Sequence, residues 1–118
     1  MEQRIEQLEK DIGLIISKVI KQFAGKGPRK VSTYVKKDII TVRINDFLTD
    51  MELTMNDSPN GKELVKGFRH SIQEKLTIPM CIEKIQEITA STIDHCYSDL
   101  CPHRNEAILV FILIKDIN

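Results

Sequence analysis

The sequence has no net charge, no long apolar run and too few cysteines of even number to be stapled. Its 17 basic residues balance 17 acidic ones, so no overall positive field draws it to nucleic acid. Tyr34 alone is interleaved with basic residues as a stacking aromatic, which leaves RNA the weakest of the partner readings. No stretch reaches the roughly 18 apolar residues of a spanning helix; the longest is Ala107–Ile114. The first residues, Met-Glu-Gln-Arg-Ile-Glu, carry acids and no apolar signal core, so the expected location is the cytoplasm. Three cysteines fit free thiols in a reducing compartment. No repeat or low-complexity segment is present.

What remains is ordinary globular composition, 42% hydrophobic and 29% charged over 118 residues, read as a single domain spanning 1–118. The run Ala107–Ile114 is apolar at successive positions, where a strand with one wet face would alternate. It is therefore expected to be a central strand covered on both faces.

Upstream, residues 2–24 carry Ile5, Leu8, Ile12, Ile15, Ile16, Val19 and Phe23 at steps of three and four, the stripe of an amphipathic helix. Gly25 is a natural left-handed stop, and Pro28 discourages continuation. Val31, Thr33 and Val35, then Ile40, Val42 and Ile44, alternate with polar residues on either side of Lys37-Asp38, which predicts a β-hairpin. Thr49 and Glu52 form a capping box for a short helix. A longer helix follows, capped by Ser58 or Asn60, with Leu64, Val65, Phe68, Ile72 and Leu76 as its expected buried stripe. Pro79 predicts a kink or break near Ile78, with helical spacing resuming through Ile82, Ile85 and Ile88. Period two returns over Thr92–Ser98, and Asp99–Asn105 reads as a loop.

The predicted fold is α+β. An N-terminal helix precedes a four-stranded, mainly antiparallel sheet of two β-hairpins, with a long kinked or broken helix between them. Such a sheet has two faces. Unless the helices divide between them, apolar surface remains for a second copy, and a homodimer is expected.

Four residues of metal-binding type, His95, Cys96, Cys101 and His103, lie within nine positions. Their spacing matches no common structural-zinc pattern, and adjacent His95 and Cys96 would project to opposite strand faces. A nucleophilic Cys–His pair would need an electropositive site and an orienting group that sequence proximity does not supply. The glycine loop Gly25–Arg29 lacks the Ser or Thr of a Walker motif and follows a helix C-terminus, where the dipole repels anions. Cys81 is expected in the core and His70 in solvent. No catalytic set, metal or cofactor is assigned.

Charge position is more informative. Between Lys18 and Arg43 the basic residues meet Asp38 alone, whereas acids dominate from Ile44 to Glu63. Lys26, Arg29, Lys30, Lys36, Lys37 and Arg43 are therefore the candidate contacts for an acidic partner or an anion.

Gly25-Lys26-Gly27-Pro28-Arg29-Lys30-Val31, the hairpin after it, Gly61-Lys62-Glu63-Leu64-Val65, and Ser98-Asp99 with Asn105-Glu106-Ala107-Ile108-Leu109-Val110-Phe111 together resemble the bacterial YbcI-like family, also called MpsC. The similarity runs through nearly the whole chain in the same element order. It implies a cytoplasmic accessory to a sodium-linked, membrane-potential-generating system associated with inorganic-carbon uptake. Similar domains joined to sensory modules suit a regulatory or docking role. The resemblance brings no catalytic residues, and the loop at Cys101-Pro102-His103 departs from the family pattern. The reading is a non-enzymatic domain acting through protein contacts, as a homodimer and at the cytoplasmic face of a membrane complex. The rival is a small ligand-sensing or zinc-binding regulator.

Overall fold

The structure, a computed structural model, describes residues 2–117. Helix α1 (Glu2–Ala24) ends at Gly25, whose φ of 82° is the left-handed stop that the sequence predicts. Strands β1 (Lys30–Lys36) and β2 (Ile39–Asn45) form the first hairpin, with Lys37 taking a positive φ at the turn. Helix α2 (Asp50–Met55) starts at the Thr49–Glu52 capping box. Helix α3 (Pro59–Ile72) is capped by Ser58, whose hydroxyl accepts from the Gly61 amide.

The interruption expected near Pro79 takes the form of a π-turn. Over Gln73–Thr77 the helix widens, the Ile78 amide reaching back to the Gln73 carbonyl, before α4 (Ile78–Thr89) carries on. One extra residue per turn gives the proline ring room against the preceding carbonyls without stopping the helix. Strand β3 (Ile93–Cys101), a short 3-10 turn (Pro102–Arg104) and β4 (Glu106–Leu113) complete the chain.

The sheet is antiparallel throughout, in the order β1-β2-β4-β3. The predicted α+β class and the two hairpins are observed, and β4 is central, paired along both edges. The register fixes which side chains share a face. Thr33, Val42, Leu109 and Ser98 form one cross-strand row, and Val35, Ile40, Phe111 and Cys96 form the next on the same face. Against this face lie Ile12, Ile16, Val19 and Ile20 of α1, Val65 of α3, and Ile78, Cys81 and Ile85 of α4, all buried. Burying each large aliphatic side chain contributes roughly 1.5–3 kcal/mol, so this layer supplies most of the driving force. Gly13 faces β1, where a Cβ would stand 3.4 Å from the Thr33 hydroxyl oxygen, at the edge of ordinary contact.

Three expectations need correction. Strand β4 is not covered on both faces. The helices stack on one side of the sheet, and on the other Ile108 and Ile114 are exposed. On the long helix only Val65 of the expected stripe is fully buried. Leu64, Phe68 and Leu76 face outward, while Gly61, Val65, Arg69, Gln73 and Thr77 line the inner side at steps of four. Strand β3 runs to Cys101, through residues that read as loop. A bulge between Ile93 and His95 also flips its register, so Ile93 is buried while His95 and Tyr97 lie on the outer face.

Candidate interaction surfaces

Behind the sheet, one buried ion pair ties α2 to the long helix. Arg69 is 4% exposed and Glu52 7%. The Arg69 guanidinium donates from Nε to Glu52 Oε2 and from a terminal nitrogen to Oε1, each at 2.6 Å, and from that nitrogen to the Phe47 carbonyl at 3.2 Å. It also lies 5.3 Å from the centre of the Phe47 ring. Glu52 Oε1 accepts from the Thr49 amide and hydroxyl as well. Burial alone would raise the Glu52 pKa, but the Arg69 hydrogen bonds, those from Thr49 and the Arg69 charge outweigh it and hold the carboxyl below its ordinary 4.5. This pair escaped sequence reading. Its only signal is that Glu52 closes a capping box and Arg69 sits four residues after Val65.

Asn105 joins the ends of the two hairpins. Its backbone adopts φ 50°, and its Oδ1 accepts from the amides of Phe47 and Leu48 at 3.0 and 2.9 Å. Nearby, Asn56 Nδ2 donates to the Pro102 carbonyl. These bonds replace the solvent that the loop amides would otherwise need.

The four residues of metal-binding type do not converge. Cys96 points toward the helices, His95 lies on the outer face, and Cys101 and His103 are exposed around the 3-10 turn. Among the described residues, no group of three or more His, Cys, Asp or Glu side chains could hold a metal ion. Burial pushes the Cys96 thiol up to about 11 and the Cys81 thiol up to about 12, so both are protonated at neutral pH and poor nucleophiles. His95 instead pairs through Nδ1 with Asp94 at 2.5 Å and meets the Tyr97 ring edge-on at 4.8 Å. Cys81 is in the core and His70 is exposed, as the sequence indicates.

The basic residues are dispersed around the first hairpin. Lys26 Nζ donates to the Leu48 carbonyl at 2.8 Å, and Arg29 pairs with Asp46. Arg43 pairs with Glu106 at 2.7 Å, which lowers the Glu106 pKa. Lys30 and Lys36 are exposed on β1, and Lys37 is exposed at the turn. The patch is real as a position in the fold, but Asp46 and Glu106 offset part of its charge.

The outer face of the sheet is uncovered. Its rows, from β1 to β3, are Lys30, Asn45, Glu106 and Cys101; Ser32, Arg43, Ile108 and Asp99; Tyr34, Thr41, Val110 and Tyr97; and Lys36, Ile39, Ile112 and His95. Its apolar part lies around Val110 and Ile112, with the Arg43–Glu106 pair toward one end. Tyr34 and Tyr97 are 61% and 63% exposed, and Ile39 and Ile108 are each 41% exposed.

Sequence comparison places this architecture among known proteins. The family described as "Na+-translocating membrane potential-generating system (MpsC)" matches residues 4–115. The chain belongs to the MpsC family. It is 27% identical over 104 residues to the Bacillus subtilis (strain 168) protein named Uncharacterized protein YrhF, covering 88% of this chain and 85% of YrhF. To Uncharacterized protein YbcI of the same organism it is 27% identical over 110 residues, covering 93% of this chain and 88% of YbcI. No solved structure gives a significant match. Among the described residues, no helix of this MpsC-family domain is long and apolar enough to cross a membrane.

Proposed function

We propose that this chain is a non-catalytic accessory or regulatory domain that acts through protein contacts, as a homodimer, at the cytoplasmic face of a membrane-potential-generating system linked to inorganic-carbon uptake. The observation that carries this reading is the surface it presents, an uncovered sheet face next to exposed basic residues around the first hairpin. The family description supplies the kind of complex. Lys26, Arg29, Lys30, Lys36, Lys37 and Arg43 supply a basic edge for an acidic segment of a membrane partner. Attraction from such an edge speeds encounter and weakens as salt screens it over about 8 Å.

The test uses Arg29→Glu with Lys37→Glu. Both residues lie at the ends of β1, outside the four rows of the outer face. In fractionated native cells the wild-type chain should sediment with membranes at low salt and leave them at high salt. The double variant, with unchanged circular dichroism and mass, should stay in the supernatant. Sedimentation unaffected by either salt or charge reversal would sink the reading.

A further inference from the structure

We infer that the outer face of the sheet is an isologous dimer interface in which β1 of one copy lies over β3 of the other. The inference rests on the reading above that the domain works through protein contacts, and it names the surface, the occupant and the orientation.

The half of the face around Tyr34, Val110 and Ile112 is apolar and uncovered. Ile39, Ile108, Val110, Ile112 and the two tyrosines make one patch, with the Arg43–Glu106 pair beside Ile108 at one end and further charge on the β1 and β3 margins. Soluble monomers rarely leave such a patch open. Four strands about 4.8 Å apart, each about seven residues at 3.3 Å, give a footprint of about 450 Å² per copy. Side-chain relief brings the total for two copies to the region of 1,000 Å² that a specific interface needs. That size fits a reversible dimer.

Charge selects the occupant and the orientation. One margin is β1, with exposed Lys30 and Lys36 on this face. The other is β3, with exposed Asp94 and Asp99, the bulge turning Asp94 beside His95. Stacking two sheets face to face about a two-fold axis perpendicular to the strands would set β1 over β1 and β3 over β3, like charge on like. An axis parallel to the strands instead sets β1 over the partner's β3 and keeps the rows in register. The lysine margin of each copy then meets the aspartate margin of the other, twice by symmetry. The same operation stacks Tyr34 over Tyr97 and Ile39 over Ile112 of the second copy. Aligned sheet packing at about 10 Å separation has this geometry. The surface is complementary to itself, which argues for a second copy over an unrelated partner.

The experiment is light scattering on the purified chain at about 100 µM, with two charge variants that leave the apolar centre intact. The wild type should give twice the 13.6 kDa of one chain, with dimerisation weakened at least fivefold between low and high salt. Lys30→Glu with Lys36→Glu should dissociate, because its glutamates face the partner's aspartates. Asp94→Lys with Asp99→Lys should dissociate for the converse reason. An equimolar mixture of the two should recover a dimer, since both margins are then oppositely charged, and recovery also shows that both variants are folded. A monomeric wild type would overturn the inference. Dimers that persist in each variant alone, or that tighten as salt rises, would place the interface elsewhere or in the crossed orientation and overturn it equally. The measurement uses purified protein without membranes, so its failure removes the homodimer from the proposed function and leaves the membrane-sedimentation result to judge the membrane contact by itself.

Discussion

The two faces of the sheet are made by the same four strands, yet they differ in what they tolerate. On the helix side Ile40, Val42, Leu109 and Phe111 are completely buried. On the outer side their chain neighbours Ile39, Ile108 and Val110 are just as apolar but remain accessible or half-buried. The first set is locked into one packing by helices of the same chain. The second is held only by its own cross-strand neighbours, so its apolar character adds little to closing the core. The comparison also explains why β4 reads as unbroken hydrophobic sequence. One half of its side chains form the core and the other half form a surface.

The sharpest way to break the comparison is to put one charge on each side of the same strand. Leu109→Asp buries an unpaired carboxylate and should leave no folded protein, a loss above about 4 kcal/mol. Val110→Asp, one residue on, should fold with a loss of roughly 1–2 kcal/mol in urea unfolding and should favour the monomer. Equal damage from both would show that the outer face is core after all.

Next in size is the buried ion pair. Arg69→Ala strands Glu52 and should cost about 3–5 kcal/mol, whereas a joint Arg69→Met and Glu52→Leu replacement should cost far less. The pH dependence has a definite sign. Because the folded Glu52 pKa lies below its ordinary 4.5, its contribution is complete above that value and is lost as pH falls through the lowered folded value. Wild-type stability should therefore drop steeply below about pH 4.5, and the joint variant should show a shallower slope in acid. Identical slopes would remove the pair from the account of acid unfolding.

The smallest expected effect is chemical. Cys81 and Cys96 are protonated by burial, while Cys101 is exposed. A thiol reagent at pH 8 should find one fast cysteine, which Cys101→Ala removes with little change in stability. Two fast thiols would mean that the sheet's inner face breathes near Cys96.

The element order was legible in the sequence because periodicity changes cleanly, from the stripe of Ile12, Ile16 and Val19 to the alternation of Ile40, Val42 and Ile44. Caps were legible too, since Thr49, Ser58 and Gly25 act through local hydrogen bonds and backbone conformation. The long helix misled because its inner face contains Arg69, Gln73 and Thr77, while Leu64 and Phe68 point outward. Hydrophobic patterning cannot register a polar group whose partner is far away in sequence. The end of β3 reads as loop because Asp99 and Cys101 are loop-type residues, although an edge strand tolerates them on its wet face. The outer face was hidden for another reason. Sequence cannot distinguish an apolar row that a helix covers from one that awaits another surface.

The strand order has a consequence for how the molecule is made. Strand β4 follows every element it joins, yet it occupies the middle of the sheet between β2 and β3. Arg43 and Glu106, which pair across the β2–β4 seam, are 63 positions apart in the chain. As the chain emerges from the ribosome, the first hairpin and the long helix can form early but have no sheet to close. Until β4 is released, β2 keeps a bare inner edge and β3 lacks its neighbour, so both are open to mispairing. Pairing β2 with β4 closes a long loop, and such non-local contacts form more slowly than local ones. The segment that completes the fold is also the one whose delay leaves the nascent chain most exposed.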